Sequence, residues 1–532
     1  MNEMMETYQS CKQILMKKVR HKTATALLLT FFWGMIAHSY GLLHSSFTHD
    51  CLNAVYIEES ERLWKLALGR IFVNLYRDFV RGNWAVPWLI GIISLVFIAI
   101  SVRLIVEMFD IETVLGFSFL SGIMVVNKTV TSLAATYIFE MDIDMLALLL
   151  SVVAAYCWSG KGKSWLFGIL CICISLGLYQ AYLSVTVTLM LLFLFYQILS
   201  GNQLDSCVKL AGKGCVQILV GGLLYLICLM GVKIIWKIDV TQTESYNGLN
   251  ILQNHILFSD IGLNWKGKLV EMLISMKSSI DSWVRFSAPN GRGIFLISGI
   301  LFATMSGYCM CAYAHGKKRE KLFALMLVAL LPIGMNISYF LCGITHSLME
   351  YAWVFACLFA FLIFRLFYRC QMHKRGTVYL YAVSFILFLS ILWSGVVSAN
   401  NLYIQRDLQD KARVSFLTRI LYRLEEEPGF RENADSFAII GASQGMRSSS
   451  ASESFHYKGE VCYNQFDTFR SYCKYILDYD VPYCEPDRII ELSNNPTVQK
   501  LPPYPNEGCV AVMDGVYVIK VADIVTTLEK EN

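Results

Sequence analysis

Long apolar runs recur along this chain, and they constrain its fold more than any other feature. Each run has about 20 residues, enough for a helix to cross a hydrocarbon core of roughly 30 Å. Hydrophobic residues make up 55% of the 532 residues and charged residues only 16%, against roughly 25% charged in ordinary globular domains. We therefore predict an α-helical polytopic membrane protein. About eleven spans are expected, near residues 24–43, 85–106, 112–127, 144–158, 164–179, 181–199, 215–235, 293–313, 321–341, 348–368 and 377–397.

The distribution of Lys and Arg predicts the orientation, because short loops rich in these residues stay in the cytoplasm. The N-terminal segment and four alternate connections carry them, whereas one further cytoplasmic loop, 107–112, is acidic. The first apolar run is too long for a secretory signal, so it is interpreted as an uncleaved anchor. With eleven spans, the N-terminus is cytoplasmic, and segments 44–84, 128–143 and 236–292 lie outside together with the tail. The basic residues are Lys17, Lys18, Arg20 and Lys22, then Lys161, Lys163, Lys209, Lys213, Lys317, Lys318, Arg319, Arg369, Lys374 and Arg375.

The tail, residues 398–532, differs in character from the membrane domain, residues 1–397. It begins with a charged, helix-periodic stretch, and SFAIIGAS then has the pattern of a buried strand. CVAVMDGVYVIKV predicts two strands around Asp514–Gly515, since Asp-Gly between apolar alternations is a strong hairpin signal. These features predict a small extracytoplasmic α/β domain. Most of the 17 cysteines lie in apolar runs, but four lie in the tail and either pair or remain free thiols; they are Cys462, Cys473, Cys484 and Cys509.

Carboxylates gather on the predicted outer face, while the span centres are almost free of charge. Asp50 follows the first span, and a carboxylate shielded in a membrane-proximal cleft can take a proton from a sugar hydroxyl. His49 would orient Asp50 or bind substrate; the alternative is a solvated pair in a loop. Glu140, Asp142 and Asp144 in FEMDID are candidates for binding sugar hydroxyls or a divalent cation, although acidic residues also mark span boundaries. Their spacing does not define a metal site.

Residues 58–81 predict an amphipathic helix on the outer leaflet. Apolar residues share one face, and basic residues share another at headgroup depth. Arg side chains there can bind lipid phosphate oxygens in a bidentate manner; ordinary anchoring to anionic lipid is the alternative. The apolar face comprises Trp64, Leu68, Ile71, Phe72, Leu75 and Phe79, and the polar face comprises Arg70, Asn74, Arg77 and Arg81. Lys128, Arg285 and Arg292 are further candidate phosphate ligands.

GLYQAYLS, residues 177–184, predicts a turn at the outer face. Tyr179, Gln180 and Tyr182 offer aromatic rings and an amide suited to binding a sugar, although tyrosines are also usual at membrane interfaces. The chain contains no GxxxxGK[ST], HExxH or GxSxG pattern, so ATP-driven transport and serine hydrolysis have no support. It also shows no basic, aromatic-interleaved patch for nucleic acid.

Several of these segments carry a family resemblance. The chain resembles the GtrII-type bacterial membrane glucosyltransferases, which are similar in layout to multispanning GT-C enzymes. The segments that match are THDCLN after the first span, LGRIF at residues 68–72, FEMDIDMLALLLSVVAAY, SLGLYQAYLSV and LPPYPNEGCVAVMDGVYVIKV.

This resemblance implies transfer of a hexose, typically glucose, outside the cytoplasm of a bacterial cell. The donor would be a polyprenyl-phosphate-linked sugar and the acceptor a cell-surface polysaccharide, with a donor synthase and a flippase as partner proteins. Asp50 occupies the place of the base in the first outer loop of GT-C enzymes. Arg70 corresponds to the family's arginine after glycine, and its phosphate-binding role is inferred. No cofactor is implied; a divalent cation is not indicated, although metal dependence stays open.

Two alternative functions have less support from the sequence. A translocase for lipid-linked sugars or oligosaccharides would need a polar path through the spans, which look too apolar for one. A surface protein whose tail binds a partner would need only one anchor, which leaves the other spans unexplained.

Overall fold

The computed structural model describes residues 19–44, 55–162, 164–236, 265–287, 318–342, 346–371, 375–434, 436–441 and 466–522. These residues are mostly helical, and the chain divides into two compact units. The first, the helical unit, contains residues 1–43, 58–134 and 138–400. The second, the tail unit, contains residues 44–57, 135–137 and 401–532.

The helical unit is built from helices of very different lengths. They are α1 (Lys22–Leu43), α2 (Glu59–Ala67), α3 (Val73–Val80), α4 (Pro87–Met108), α5 (Val114–Val125), α6 (Lys128–Thr136), α7 (Ile138–Trp158), α8 (Trp165–Leu178), α9 (Leu183–Leu199), α10 (Leu204–Trp236), α11 (Trp265–Ser287), α12 (Lys318–Met335), α13 (Ile337–Cys342), α14 (Phe355–Gln371) and α15 (Arg375–Glu425). Short 3₁₀ turns at Gln180–Tyr182, Ser347–Met349 and Tyr351–Val354 join some of them.

Several of these helices are apolar and long enough to cross a membrane, as expected of a membrane protein. Within the described residues five qualify by length and composition, or six if α5 and α6, bent by 45° at their junction, form one span. Two further apolar helical segments, Trp165–Leu178 and Tyr351–Leu366, are shorter. Ten of the predicted spans coincide with helices, and the predicted span 293–313 lies outside the described residues. Only five or six described helices have both the length and the composition of a membrane span, so the number eleven is not confirmed.

The prediction of a single amphipathic helix for residues 58–81 is wrong. The segment forms two short helices, α2 and α3, separated at Leu68–Phe72. The break follows from Gly69, whose φ of +78° is a left-handed conformation that an α-helix cannot contain. The predicted faces therefore do not persist along the segment: Leu75 and Phe79 are exposed, whereas Arg77 is buried.

The segment 128–143, which the sequence predicts to be a connection between spans, is helical, because α6 and the first turns of α7 occupy it. Helix α7 begins at Ile138, so the three carboxylates of FEMDID lie inside a helix rather than in a loop before one. The tail's first helical stretch is continuous with the last predicted span, since both belong to α15.

The tail unit confirms the predicted strands. Three strands, β1 (Ser436–Ile440), β2 (Val510–Met513) and β3 (Val516–Lys520), form a sheet in the order β1–β3–β2. β1 runs parallel to β3, and β2 and β3 are antiparallel. Asp514 and Gly515 both have positive φ, which is the requirement of a tight type I′ hairpin. Phe466–Ser471, Pro486–Ser493 and Pro496–Lys500 form the short helices α16, α17 and α18.

The core of the tail unit consists of the last turns of α15, the three strands and the short helices. Phe437, Ile439, Val518 and Ile519 are completely buried there. Cys473, Cys484 and Cys509 are buried free thiols, and Cys462 lies outside the described residues. The free-thiol alternative therefore holds for these three cysteines.

Candidate functional site

A buried set of charged side chains, the charged cluster, joins α2 and α3 to the start of α7. Its carboxylates lie in the first two turns of α7, where Glu140 and Asp144 share one helix face and Asp142 is turned by about 200°. Ions in an apolar unit need partners, because desolvating an unpaired charge costs several kcal/mol. The members of the cluster are Lys65, Arg70, Arg77, Arg81, Glu140, Asp142 and Asp144.

Glu140 lies between two cations. The Lys65 ammonium contacts one carboxylate oxygen, and Arg70 Nη1 lies 2.8 Å from the other, Oε2. The Arg70 guanidinium also stacks on the Tyr179 ring, with its carbon 4.2 Å from the ring centroid. Burial alone would lower the pKa of Arg70, but the Glu140 carboxylate raises this pKa above its ordinary value. Arg70 and Tyr179, both predicted site residues, are thus brought together.

Asp142 belongs to a second ion pair on the other side of α7. Arg81 Nε donates to Asp142 Oδ2 at 2.8 Å, and neither side chain is exposed to solvent. The Tyr76 hydroxyl donates to the same oxygen at 3.1 Å, and Arg81 also donates to the Phe139 carbonyl. These contacts give Asp142 a structural role that fixes α3 against α7.

Arg77 differs from the other cations of the cluster. It is completely buried, yet none of its three guanidinium nitrogens has a hydrogen-bond partner among the described residues. Glu140 and Asp142 attract it electrostatically, and Arg81 repels it. Burial lowers the pKa of Arg77 to about 10, so the side chain stays charged at neutral pH. Such a group is fit to receive an anion, since guanidinium groups bind phosphate oxygens through several hydrogen bonds.

Asp144 and Tyr182 are two further residues of this region with an unbonded polar atom. Asp144 Oδ2 and the Tyr182 hydroxyl are both buried and have no hydrogen-bond partner among the described residues. The two groups interact electrostatically. The Tyr182 ring lies between those of Tyr179 and Tyr351, with its centroid 5.8 Å from each.

Gln180 positions the loop that carries Arg70. Its Nε2 donates to the Leu68 carbonyl at 3.1 Å and lies 3.1 Å from the Tyr225 hydroxyl, which in turn donates to the Gly69 carbonyl at 3.0 Å. The two sequence motifs GLYQAYLS and LGRIF are therefore bonded to each other. The predicted turn at GLYQAYLS is confirmed, but the Gln180 amide is already occupied by protein.

The Lys128 ammonium is also paired within the protein. Its Nζ lies 2.7 Å from Glu350 Oε2, and Ser279 donates to the other oxygen of Glu350 at 2.8 Å. Both Lys128 and Glu350 are about nine-tenths buried. Because this carboxylate already balances its charge, Lys128 is a structural ion-pair partner in this structure.

Four predicted residues remain. His49, Asp50 and Arg292 are outside the described residues, and Arg285 is exposed at the end of α11. In the described part of the chain, no group of three or more His, Cys, Asp or Glu side chains is arranged to hold a metal ion.

Lys65 and Tyr76 are partners of the carboxylates that the sequence pattern alone does not single out. One signal for them was available: three carboxylates in an otherwise apolar helix require cations from elsewhere in the chain, and residues 62–81 carry several. The spacing within that segment does not show which cation meets which carboxylate, because the turn at Gly69 changes the direction of the chain.

Comparison with known proteins identifies the chain. The profile of the family described as "Glucosyl transferase GtrII" matches residues 39–364, more than half of the chain and the part that contains the whole charged cluster. Neither a curated protein nor a solved structure matches it. This membrane protein therefore belongs to the GtrII glucosyl transferase family and is a glycosyltransferase.

Proposed function

We propose that this enzyme transfers glucose from a polyprenyl-phosphate-linked donor to a cell-surface polysaccharide, on the extracytoplasmic face of the bacterial plasma membrane. The single observation that carries the proposal is Arg77, a completely buried cation without a hydrogen-bond partner among the described residues. A donor phosphate would supply the hydrogen-bond partners that this side chain lacks.

The ion pairs of the cluster support the same ligand. Arg81 is paired with Asp142, while Lys65 and Arg70 share Glu140, and Lys65 also contacts the less buried Glu61 at 2.9 Å. Arg77 has no hydrogen-bond partner among the described residues, so the phosphate would bind against Arg77, and both Arg77 and Arg70 interact with Glu140. Fixed cations in a buried site stabilise charge that develops on a leaving group, because little reorganisation is needed during the reaction.

In the proposed reaction, the acceptor hydroxyl oxygen attacks the anomeric carbon of the donor sugar. The bond from this carbon to the phosphate oxygen breaks, and its electron pair leaves with the polyprenyl phosphate. Asp50 takes the proton of the attacking hydroxyl as a general base, and His49 orients Asp50. A single displacement of this kind inverts the anomeric centre, and it needs no further energy source because the donor is already activated.

The proposed orientation has a cytoplasmic N-terminus, eleven spans and an extracytoplasmic tail unit. The Lys and Arg residues of alternate connections support it. A lipid-linked donor then reaches the enzyme within the outer leaflet, after a donor synthase and a flippase have supplied it. The bilayer itself is thus a partner of the enzyme.

The test is sugar transfer in membranes that contain the full-length protein, with radiolabelled glucosyl polyprenyl phosphate as donor and purified surface polysaccharide as acceptor. Asp50→Asn should abolish incorporation into polysaccharide without reducing the amount of protein in the membrane. Asp78→Asn, which changes an exposed aspartate paired with Arg62, is the matched control and should transfer normally. Normal transfer by Asp50→Asn would rule out its role as base. Movement of the labelled lipid between leaflets without incorporation would favour a translocase.

A further inference from the structure

We infer that Asp144 and Tyr182 form the subsite that binds hydroxyl groups of the donor sugar, next to the phosphate subsite at Arg77. This inference rests on the proposed function. It assigns to Asp144 and Tyr182 the binding of the sugar, which is the part of the donor that bare polyprenyl phosphate lacks.

The first observation is that the subsite has unused hydrogen-bonding capacity of the required kind. Asp144 Oδ2 is an acceptor and the Tyr182 hydroxyl is both a donor and an acceptor, and both are without a partner among the described residues. Buried polar groups are nearly always bonded, so two unbonded groups that interact with each other need an explanation. A sugar hydroxyl both donates and accepts, and vicinal hydroxyls can satisfy both groups together.

The second observation is the position of the pair relative to the cations. Asp144 interacts electrostatically with Arg70 and Lys65, which hold Glu140 one helical turn earlier on the same face of α7. In a glycosyl phosphate the sugar hydroxyls likewise lie a few bonds from the phosphate oxygens. A donor whose phosphate meets Arg77 and Arg70 would therefore place its hexose near Asp144.

The third observation is the aromatic surface beside the pair. The Tyr182 ring lies 5.8 Å from both the Tyr179 and the Tyr351 rings. The Tyr351 hydroxyl is already bonded, since it donates to the Met124 carbonyl at 2.6 Å. The two neighbouring tyrosines thus differ in bonding: the Tyr351 hydroxyl is used within the protein, whereas that of Tyr182 has no partner among the described residues. Both Asp144 Oδ2 and the Tyr182 hydroxyl are inaccessible to solvent, so binding of the sugar would require the surrounding turns to move.

The experiment compares the binding of two lipids to the full-length protein in nanodiscs: glucosyl polyprenyl phosphate and bare polyprenyl phosphate. The wild type should bind the glucosyl lipid more tightly. Tyr182→Phe and Asp144→Asn should each weaken binding of the glucosyl lipid about 2- to 12-fold, the range for a neutral hydrogen bond. Neither substitution should change binding of the bare lipid.

Tyr351→Phe is the matched control, with the same loss of one hydroxyl in the same row of rings. It should lower the melting temperature and leave the ratio of the two affinities unchanged. Tyr182→Phe should not lower the melting temperature, since the hydroxyl that it removes has no partner. This variant therefore keeps the inference testable if Asp144→Asn fails to fold.

Three outcomes would overturn the inference: equal weakening of both lipids by Tyr182→Phe, no weakening of either, or equal affinity of the wild type for both. The proposed function fails separately, if the wild type binds the glucosyl lipid but transfers no glucose to polysaccharide.

Discussion

Arg81 and Asp142 form an ion pair in which neither side chain is exposed to solvent, with 2.8 Å between Nε and Oδ2. The pair connects the end of α3 to the first turns of α7. Asp142 is thus bonded within the protein, whereas Asp144 Oδ2 has no hydrogen-bond partner among the described residues.

The first prediction concerns this pair. Asp142→Ala should destabilise the protein by about 3–5 kcal/mol, because it leaves the Arg81 cation buried without its counter-charge. The measurement is thermal unfolding of the purified protein in detergent. Arg103→Ala is the matched control: it breaks a more exposed pair, with side chains 26% and 34% exposed, and should cost at most about 1 kcal/mol. Equal melting temperatures for Asp142→Ala and the wild type would show that the pair is not structural.

The second prediction separates stability from activity at Arg77. Its folded-state pKa of about 10 lies below the ordinary value of 12.5. A cation whose pKa is lowered by folding destabilises the folded state at every pH below about 10, and this cost disappears as pH rises from 10 towards 12.5. Arg77→Met should therefore raise stability at neutral pH, by a few kcal/mol at most.

The same Arg77→Met variant should lose affinity for the donor. Because the phosphate is proposed to bind Arg77, binding of bare and glucosyl polyprenyl phosphate should both weaken at least tenfold, the effect of one charged hydrogen bond. Thermal unfolding and lipid binding, measured on the same preparation, check the two parts. A less stable variant with unchanged lipid affinity would make Arg77 a structural residue.

The third prediction concerns the turn that carries Arg70. Gly69 has φ of +78°, and a Cβ added there would lie 2.7 Å from the Tyr225 hydroxyl and 3.1 Å from Gln180 Nε2. Gly69→Ala should thus incur backbone strain of about 1–3 kcal/mol and also disturb the bonds between LGRIF and GLYQAYLS.

Gly82→Ala is the control for the backbone strain that alanine causes at a positive φ. Gly82 has φ of +69°, and a Cβ there would meet nothing within 4 Å. Gly69→Ala should therefore lower both the melting temperature and the transfer rate more than Gly82→Ala does. Equal effects would show that the contacts around Gly69 contribute nothing beyond backbone strain.

The fourth prediction concerns the thiols of the tail unit. Burial raises the pKa of Cys473 to about 12, so at pH 8 the side chain is almost entirely the unreactive thiol. In the native protein, maleimide should label Cys473, Cys484 and Cys509 slowly, and denaturant should make labelling rapid. Peptide mass spectrometry identifies the labelled positions. A disulfide-linked peptide containing two of these three cysteines would contradict the free-thiol assignment.

The sequence predicts the elements of this protein better than their contacts. Apolar runs and the Asp514–Gly515 hairpin signal depend on short-range patterns, and the helices and the β2–β3 hairpin follow them. The helix predicted for residues 58–81 is interrupted at Gly69. The prediction follows the periodicity of apolar and basic residues and gives too little weight to this glycine.

The candidate site shows the same limit. Residue type and spacing singled out Arg70, Arg77, Asp144 and Tyr179, and the structure brings Arg70 and Tyr179 into contact. Whether a cation is free or paired depends on which side chain lies opposite, so Lys128 and Arg77 look equivalent in sequence. Only the fold shows that Lys128 faces Glu350 and that Arg77 has no hydrogen-bond partner among the described residues.

The charges at the start of α7 also bear on how the protein is made. An aspartate in the middle of a membrane-inserting helix costs about 2.5–3.5 kcal/mol when inserted alone, and α7 carries three carboxylates in its first turns. Helices α2 and α3, which carry the matching cations, are synthesised before α7. During biogenesis, the carboxylates of α7 therefore emerge when the cations that pair with them, Lys65, Arg70 and Arg81, have already been synthesised.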